Sequence, residues 1–219
     1  MSSHLRERKR DAILDAARTV FFSNGYLGTS MDAIAAAATV SKQTVYNHFG
    51  DKRSLFEQLL ARDMGQSDHT VQTLVDQVDA AAPLQSQLVQ IAHVYLRSVL
   101  QPHLLRLRRL VIGEAERFPE LAVAWHKNGP EQAYAMFSQL FSRLIDHGVL
   151  RIDDVNAAAE QFNWLILSVP LNRAMAYVDE PMPPADAEID TIVQSAVLVF
   201  LAAYSTSHSA SRGTNSRQT

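Results

Sequence analysis

The 219-residue sequence contains no cysteine, which excludes a disulfide scaffold, a thiolate zinc site and a cysteine nucleophile. Glycine and proline are scarce, with eight of each. No glycine-rich phosphate loop, HExxH motif or GxSxG motif occurs. The histidines and carboxylates are scattered rather than grouped in a catalytic arrangement. We therefore expect neither an enzyme nor a protein with a bound cofactor.

Long apolar runs are also missing. The longest purely apolar run, 196–204, has nine residues, which is too short for a helix that crosses a bilayer. The basic start of the chain is interrupted by acids, and no apolar stretch with a small-residue cleavage site follows it. We therefore predict a cytoplasmic protein that does not have a membrane as a partner.

Charge is unevenly distributed along the chain. Residues 1–62 carry nine Lys and Arg against six acids, whereas the remaining 157 residues carry eleven against seventeen. The first part is therefore net +3 and the rest net −6. This asymmetry is typical of a polyanion-binding module attached to a larger acidic part. A basic helix face that is merely solvated fits the charge balance equally well.

The apolar residues repeat at helical spacing throughout, and no alternating strand pattern occurs. Helix starts are predicted at hydroxyl, acid and proline residues: Thr29 with Asp32 as a capping box, Ser41, Asp51, Pro83, Pro102, Pro119, Pro130, and Asp153 or Asp154. The sequence thus predicts an all-α protein. A three-helix helix-turn-helix domain occupies 1–52, a larger helical domain 53–205, and a disordered tail 206–219.

The third short helix, which starts at Ser41, carries the most specific chemistry. Val45 and Phe49 lie four residues apart and are predicted to face the core. The polar residues of the helix would then project outward, namely Lys42, Gln43, Thr44, Tyr46, Asn47 and His48, and 41–49 contains no acid. Asn and Gln side chains pair with adenine, and a Thr methyl contacts thymine, so this surface suits a DNA major groove. The alternative is a helical protein-interaction adaptor, which would not need an acid-free helix.

The family signal is found in the same part of the chain, in Ile13-Leu14-Asp15-Ala16-Ala17, Phe21, Phe22, Gly25-Tyr26, Thr29, Ile34-Ala35-Ala36, Val40-Ser41-Lys42, Thr44-Val45-Tyr46-Asn47-His48-Phe49, Lys52 and Leu55. With these motifs, residues 10–60 resemble the TetR family of bacterial transcriptional regulators. The resemblance implies a homodimer that binds a palindromic operator in double-stranded DNA, usually as a repressor released by a small-molecule effector. By position, Lys42, Gln43, Thr44 and Asn47 would face base edges, whereas Thr29, Tyr46, His48 and Lys52 would hold phosphates. Ser41 joins this predicted DNA-binding set as the residue that caps the helix.

Two positions depart from the family pattern. Thr39 stands in the turn where the family usually has Gly, and a β-branched residue at positive φ is strained. We expect the turn to adopt another geometry there. Gln43 stands where the family often has Gly or Pro, and its side chain is expected to sharpen base preference.

The larger part carries a second resemblance. The run Leu107-Arg108-Arg109-Leu110-Val111-Ile112-Gly113-Glu114-Ala115, with Arg117-Phe118-Pro119-Glu120-Leu121, resembles TetR members with an AefR-like C-terminal domain. This resemblance implies that 53–205 forms a ligand-binding and dimerisation domain. Independently, the predicted helix 185–204 has an apolar stripe too wide to be covered easily within one subunit. We expect it to form a four-helix dimer interface with the helix that contains Phe162, Leu165, Ile166 and Val169.

An effector pocket, mostly apolar, is expected among the central helices. Its candidate lining residues are Tyr95, His103, Leu107, Trp125, Tyr134, Phe137, Phe141, Asn163 and Trp164. For each of them, packing in the core is the stronger alternative, because any helical bundle uses aromatic residues at this spacing. His93 and His103 are ten residues apart and lack the compact spacing of metal ligands. We therefore predict no metal site.

Overall fold

The computed structural model describes residues 2–179 and 182–206. Within them are ten helices and no strand; Leu150 and Ser205 form an isolated antiparallel bridge. The helices are α1 Ser2–Asn24, α2 Met31–Ala37, α3 Lys42–Phe49, α4 Lys52–Asp76, α5 Leu84–Val99, α6 Pro102–Glu114, α7 Pro119–Asn128, α8 Pro130–Asp146, α9 Val155–Ala176 and α10 Asp186–Tyr204. The all-α prediction is confirmed. The predicted tail lies outside the described residues apart from Thr206.

The chain divides into two compact units. One, the head unit, comprises Met1–Gln66 and His103–Gly129; the other, the body unit, comprises Ser67–Pro102 and Pro130–Thr219. The chain thus passes from head to body within α4, returns at the start of α6 and leaves again after α7. This grouping by packing does not follow the predicted boundary at residue 52, since α6 and α7 belong with the head. The functional domain boundaries stay a prediction.

The turn between α2 and α3 keeps the geometry that favours glycine. The N–H of Thr39 donates to the Ala36 carbonyl at 3.1 Å, and the N–H of Val40 donates to the Ala35 carbonyl at 3.0 Å. These two bonds form a Schellman motif, which places its central residue in the left-handed region. Thr39 has φ +55°, so our expectation of another turn geometry is wrong. The turn accommodates a strain of about 1–2 kcal/mol at this residue.

The start of α2 differs from the predicted capping box. The side chain of Ser30, not Thr29, accepts the N–H of Ala33 and caps the helix. Thr29 is only 3% exposed, and its hydroxyl donates to the Gly25 carbonyl at 2.7 Å. Both residues carry a hydroxyl that could cap. Burial of the threonine side chain therefore leaves the cap to the neighbouring serine.

The head unit has one apolar core shared by six helices and their connections. Ile13, Phe21, Val45 and Leu59 lie in it together with Leu107 of α6, all buried. Its aromatic centre is Tyr26, in the connection between α1 and α2. The Tyr26 ring lies 5.4 Å from that of Phe56 and 4.9 Å from that of Phe118. The short α3 thus stands on a core that includes α6 and the start of α7.

The body unit packs α5 against α9 and α10, and α8 against α9. Phenylalanines dominate its core: the ring of Phe141 lies 5.5 Å from Phe162 and 4.7 Å from Phe200. A buried polar pair interrupts it, because the Tyr95 hydroxyl donates to Asn163 Oδ1 at 2.6 Å. The bond gives the Tyr95 hydroxyl an acceptor and Asn163 Oδ1 a donor in an apolar environment.

Helix α10 divides its apolar residues between two sides. Most of the predicted stripe, including Ile189, Val193 and Phe200, is buried within the body unit, so the argument that one subunit cannot cover it is wrong. Leu198 and Val199 are exposed instead. By length and mean hydropathy α10 is the one helix in the described part of the chain that could cross a membrane. Packing of its inner side against α5 and α9 accounts for much of that apolar character.

Candidate nucleic-acid interface

Helix α3 presents a polar surface on a rigid base. Val45 is fully buried and Phe49 is 4% exposed, as the four-residue spacing predicts. Ser41 caps the helix: its hydroxyl oxygen accepts the Thr44 N–H at 3.1 Å. The polar residues predicted to face outward are exposed, except for Thr44 and His48, which are half-buried: Ser41, Lys42, Gln43, Thr44, Tyr46, Asn47 and His48. The surface is therefore presented as predicted.

Two of the predicted base-reading residues are bonded to each other. Gln43 Nε2 donates to Asn47 Oδ1 at 2.8 Å, one helical turn apart. The Ser41 and Thr44 hydroxyls, 2.8 Å apart, also share a hydrogen bond. These contacts restrict the rotamers of the surface side chains before any ligand arrives, which lowers the entropic cost of ordering them on binding.

Lys42 pairs with an acid on the neighbouring helix. Its Nζ lies 2.8 Å from Asp32 Oδ1 and 3.0 Å from Oδ2. It also lies 5.8 Å from the centre of the Tyr46 ring. The hydrogen bond that Lys42 donates to Asp32, and then the charge of that carboxylate, raise the pKa of Lys42, so the ammonium stays charged at any physiological pH. Asp32 is thus a charged group at the edge of this surface that the pattern of 41–49 alone does not reveal.

A second set of charges adjoins the end of α3. Burial, followed by the positive charges of Arg6, Arg10 and Lys9, lowers the pKa of His48. These three bases lie at the start of α1. Sequence reasoning counted these bases but did not assign them to the site. The sequence did contain a signal for them, because Arg6, Lys9 and Arg10 cluster within about one and a half turns of α1.

Lys52 and Thr29, both predicted to hold phosphates, make hydrogen bonds within the head unit. Lys52 Nζ donates to the carbonyls of Tyr26 at 2.8 Å and Thr29 at 3.0 Å, and it lies 4.5 Å from the Tyr26 ring. Burial lowers the pKa of this lysine, an effect that the Glu114 carboxylate partly offsets. The lysine thus ties the start of α4 to the connection between α1 and α2. The Thr29 side chain is buried, so the structure presents neither residue as an open phosphate contact.

The predicted effector-lining residues fall into both units. In the head, Leu107 is buried in the core, Trp125 packs against that core and His103 is half-buried. Burial is the main cause that lowers the pKa of His103. In the body, Tyr95, Phe137, Phe141 and Asn163 are buried, Tyr134 is half-buried and Trp164 is 43% exposed.

The buried candidates in the body unit make direct contacts with one another. The Tyr95 ring lies 5.2 Å from that of Phe137, which stacks on Phe141 at 6.2 Å. They thus pack against each other within the core of the body unit. A cleft of about 530 Å³ in this unit is lined by other residues: Gln72, Val75, Asp76, Ser138, Gln139, Ser142, Arg143, Val155 and Asn156. None of the residues predicted to line the effector pocket is among them, and the position of the effector site stays a prediction.

Comparison with known proteins identifies both parts of the chain. Residues 13–59 match the family of bacterial regulatory proteins of the tetR type, and residues 86–206 match the C-terminal domain of AefR-like transcriptional repressors. A solved TetR-family regulator from Mesorhizobium loti is 33% identical, with 92% of this chain and 98% of that chain covered and a TM-score of 0.81. The flavonoid-responsive regulator FrrA is 30% identical over 91% of this chain and 98% of its own, with a TM-score of 0.75.

A curated relative is similar over the head alone. IcaR, the negative transcriptional regulator of the biofilm operon icaADBC in Staphylococcus aureus, is 43% identical over 49 residues. These residues make up 22% of this chain and 26% of IcaR, so the match spans about a quarter of that relative. The C-terminal match alone covers more than half of the chain. The protein is therefore a member of the TetR family of DNA-binding transcriptional regulators, with repressors among its homologues, and is not an enzyme.

Proposed function

We propose that the protein is a homodimeric, ligand-responsive repressor that binds a palindromic operator and is released by a small, largely apolar effector in the cytoplasm. The observation that carries this proposal is the polar, acid-free surface of α3, held by Val45 and Phe49 on the head core. Lys42, Gln43, Thr44 and Asn47 are its base-reading residues. Tyr46, His48 and the basic start of α1 contact the phosphates.

Exposed apolar side chains on α9 and α10 support the dimer. Val169 is 72% exposed, Leu198 61% and Val199 51%, with Trp164 and Leu165 exposed on the same helix as Val169. Helices α9 and α10 pack against each other, and we infer that these residues belong to one apolar surface. Such a surface marks an interface, and a two-fold contact between two copies would present two recognition helices to the two halves of a palindrome.

Helix α4 is the element that would couple effector binding to DNA binding. Because α4 begins beside α3 and ends in the body unit, a ligand that changes the body conformer changes the spacing of the recognition helices. FrrA is described as flavonoid-responsive, and a planar aromatic ligand of that kind suits the aromatic core around Tyr95 and Asn163. Since the rings of Tyr95, Phe137 and Phe141 are in contact, binding of such a ligand requires them to separate.

The proposal is tested by retardation of the DNA upstream of the gene, followed by footprinting of the retarded complex. We expect a protected site with two symmetric halves, their centres about one helical turn, or a multiple of it, apart. Retardation should decrease with added salt as phosphate contacts are screened. Absence of retardation even at low salt would favour the adaptor function instead.

Lys52 gives a prediction about stability rather than DNA contact. Replacing Lys52 with Met removes two charge-assisted hydrogen bonds to the carbonyls of Tyr26 and Thr29. Because the lysine is only half-buried, water recovers part of the loss, and we expect the free energy of unfolding to fall by about 1–2 kcal/mol. Urea denaturation measures it. The salt slope of operator binding should stay unchanged.

Lys9, exposed on α1, provides the matched control. Replacing Lys9 with Met should leave the unfolding midpoint unchanged while reducing the salt slope by about 0.9, as for one lost phosphate contact. If the Lys52 variant showed this pattern instead, Lys52 would be a phosphate contact and the carbonyl bonds incidental.

A further inference from the structure

The acid-free recognition helix has an acid on its neighbour. Asp32, in the first turn of α2, holds Lys42 of α3 with both carboxylate oxygens within 3.0 Å of Nζ. Both side chains are well exposed, 58% for the lysine and 63% for the aspartate. An exposed ion pair of this kind contributes little to folding stability. Stability therefore does not explain why a carboxylate lies on the one basic surface that meets DNA.

We propose that Asp32 is a specificity-determining residue that competes with DNA phosphates for Lys42. The proposal rests on the proposed role of α3 as the DNA-reading surface. While Asp32 holds Lys42, the ammonium is not available to a phosphate, and the carboxylate itself repels the backbone. Lys42 can therefore contact DNA only after this ion pair is lost.

The competition between Asp32 and DNA for Lys42 weakens non-specific binding more than it weakens operator binding. In the operator complex, base contacts hold α3 deep in the groove, and Lys42 gains contacts that offset the lost ion pair. In a non-specific complex only phosphates attract the lysine, and Asp32 opposes that attraction. Since discrimination is a difference between the two affinities, a residue that weakens non-specific binding more than operator binding raises specificity.

Asp32→Asn tests the proposal, with affinity measured by fluorescence anisotropy on the operator duplex and on a scrambled duplex over a series of KCl concentrations. We expect affinity for the scrambled duplex to rise roughly threefold to tenfold and its salt slope to steepen by about 0.9, the value for one added phosphate contact. Operator affinity should rise less, so that the ratio of the two affinities falls. An unchanged scrambled-duplex affinity, or an equal gain on both duplexes, would overturn the proposal.

Further variants separate local competition from general charge and from folding. Asp32→Glu keeps the charge and should retain wild-type discrimination. Glu57→Gln breaks a similar exposed pair, with Arg53 at 2.9 Å, and should leave the ratio of affinities unchanged. Because Asp32 lies in the first turn of α2, circular dichroism should verify that the Asn variant is folded.

A double variant distinguishes failure of this proposal from failure of the DNA surface itself. If α3 reads DNA, Lys42→Ala alone weakens binding. In its presence Asp32→Asn should add a much smaller gain than in the wild type, because only the repulsion between the carboxylate and the backbone is then removed. A Lys42→Ala variant with wild-type DNA binding would overturn the role of Lys42 and with it this proposal. If the Lys42→Ala variant bound DNA more weakly but the Asp32→Asn variant bound it exactly like the wild type, α3 would still read DNA. Only the proposed competition would then be overturned.

Discussion

Replacing Val169 and Leu198 together with Asp should convert the protein into a monomer and reduce its affinity for the operator at least about 100-fold. Both side chains are among the most exposed apolar residues of the body unit. Two carboxylates buried in an apolar contact between copies cannot be solvated, so the dimer dissociates. A linked pair of heads gains roughly 100-fold to 10,000-fold in avidity over a single head, and this gain disappears with the dimer.

Light scattering should give a mass near 24.3 kDa for the double variant and twice that mass for the wild type. The matched control replaces Ile112 and Val123 with Asp, since these are exposed apolar residues of the head unit, 58% and 66% exposed. That control should remain dimeric and bind the operator normally. A double variant that stays dimeric, or that binds the operator as a monomer with full affinity, would contradict the proposed interface.

Much of the helical architecture could be predicted because its start signals are local. Proline lacks an N–H and has a fixed φ, so it is favourable at the first helical position, and α6, α7 and α8 begin at the predicted prolines. Asp51 likewise accepts the Ser54 N–H at 2.7 Å at the start of α4. The start of each of these helices thus depends on residues within about four positions of each other.

The contacts that sequence reasoning did not foresee join distant segments of the chain. Thr29 and Ser30 are equivalent as caps in the sequence, and only the burial of Thr29 decides between them. Lys52 was assigned to phosphate because its charge is visible in the sequence. The backbone carbonyls of Tyr26 and Thr29 that accept its hydrogen bonds cannot be identified from the sequence.

For the effector site too, the sequence does not show which distant residues come into contact. Aromatic residues at helical spacing line a pocket or fill a core with equal ease, and periodicity does not distinguish the two. The contacts of Tyr95 with Phe137 and Asn163 are tertiary. Likewise, the packing of α6 and α7 with the head depends on which amphipathic helices pair, and amphipathicity does not specify its partner.

The base-reading surface yields the second large effect. Asn47→Ala should weaken operator binding by about 1–3 kcal/mol per lost bidentate contact, which is roughly 5-fold to 150-fold in affinity. It should also abolish discrimination at one base pair of each half-site. Affinities for a set of operators with each base pair replaced in turn measure both effects. Lys9→Ala, as a phosphate control, should weaken binding to all members of the set equally. An Asn47 variant that still discriminated at every position would contradict its role.

Gln43 should not act independently of Asn47. Because Gln43 Nε2 donates to Asn47 Oδ1 at 2.8 Å, each amide holds the other in one orientation, and removing either one frees its neighbour to rotate. The Gln43→Ala and Asn47→Ala effects should therefore sum to more than the effect of the double variant, with an interaction energy of about 0.5–3 kcal/mol in a double-mutant cycle. The matched cycle pairs Gln43 with Lys9 of α1 and should be additive. Strict additivity for Gln43 and Asn47 would mean that the two side chains read their bases separately and that the bond between them breaks when DNA binds.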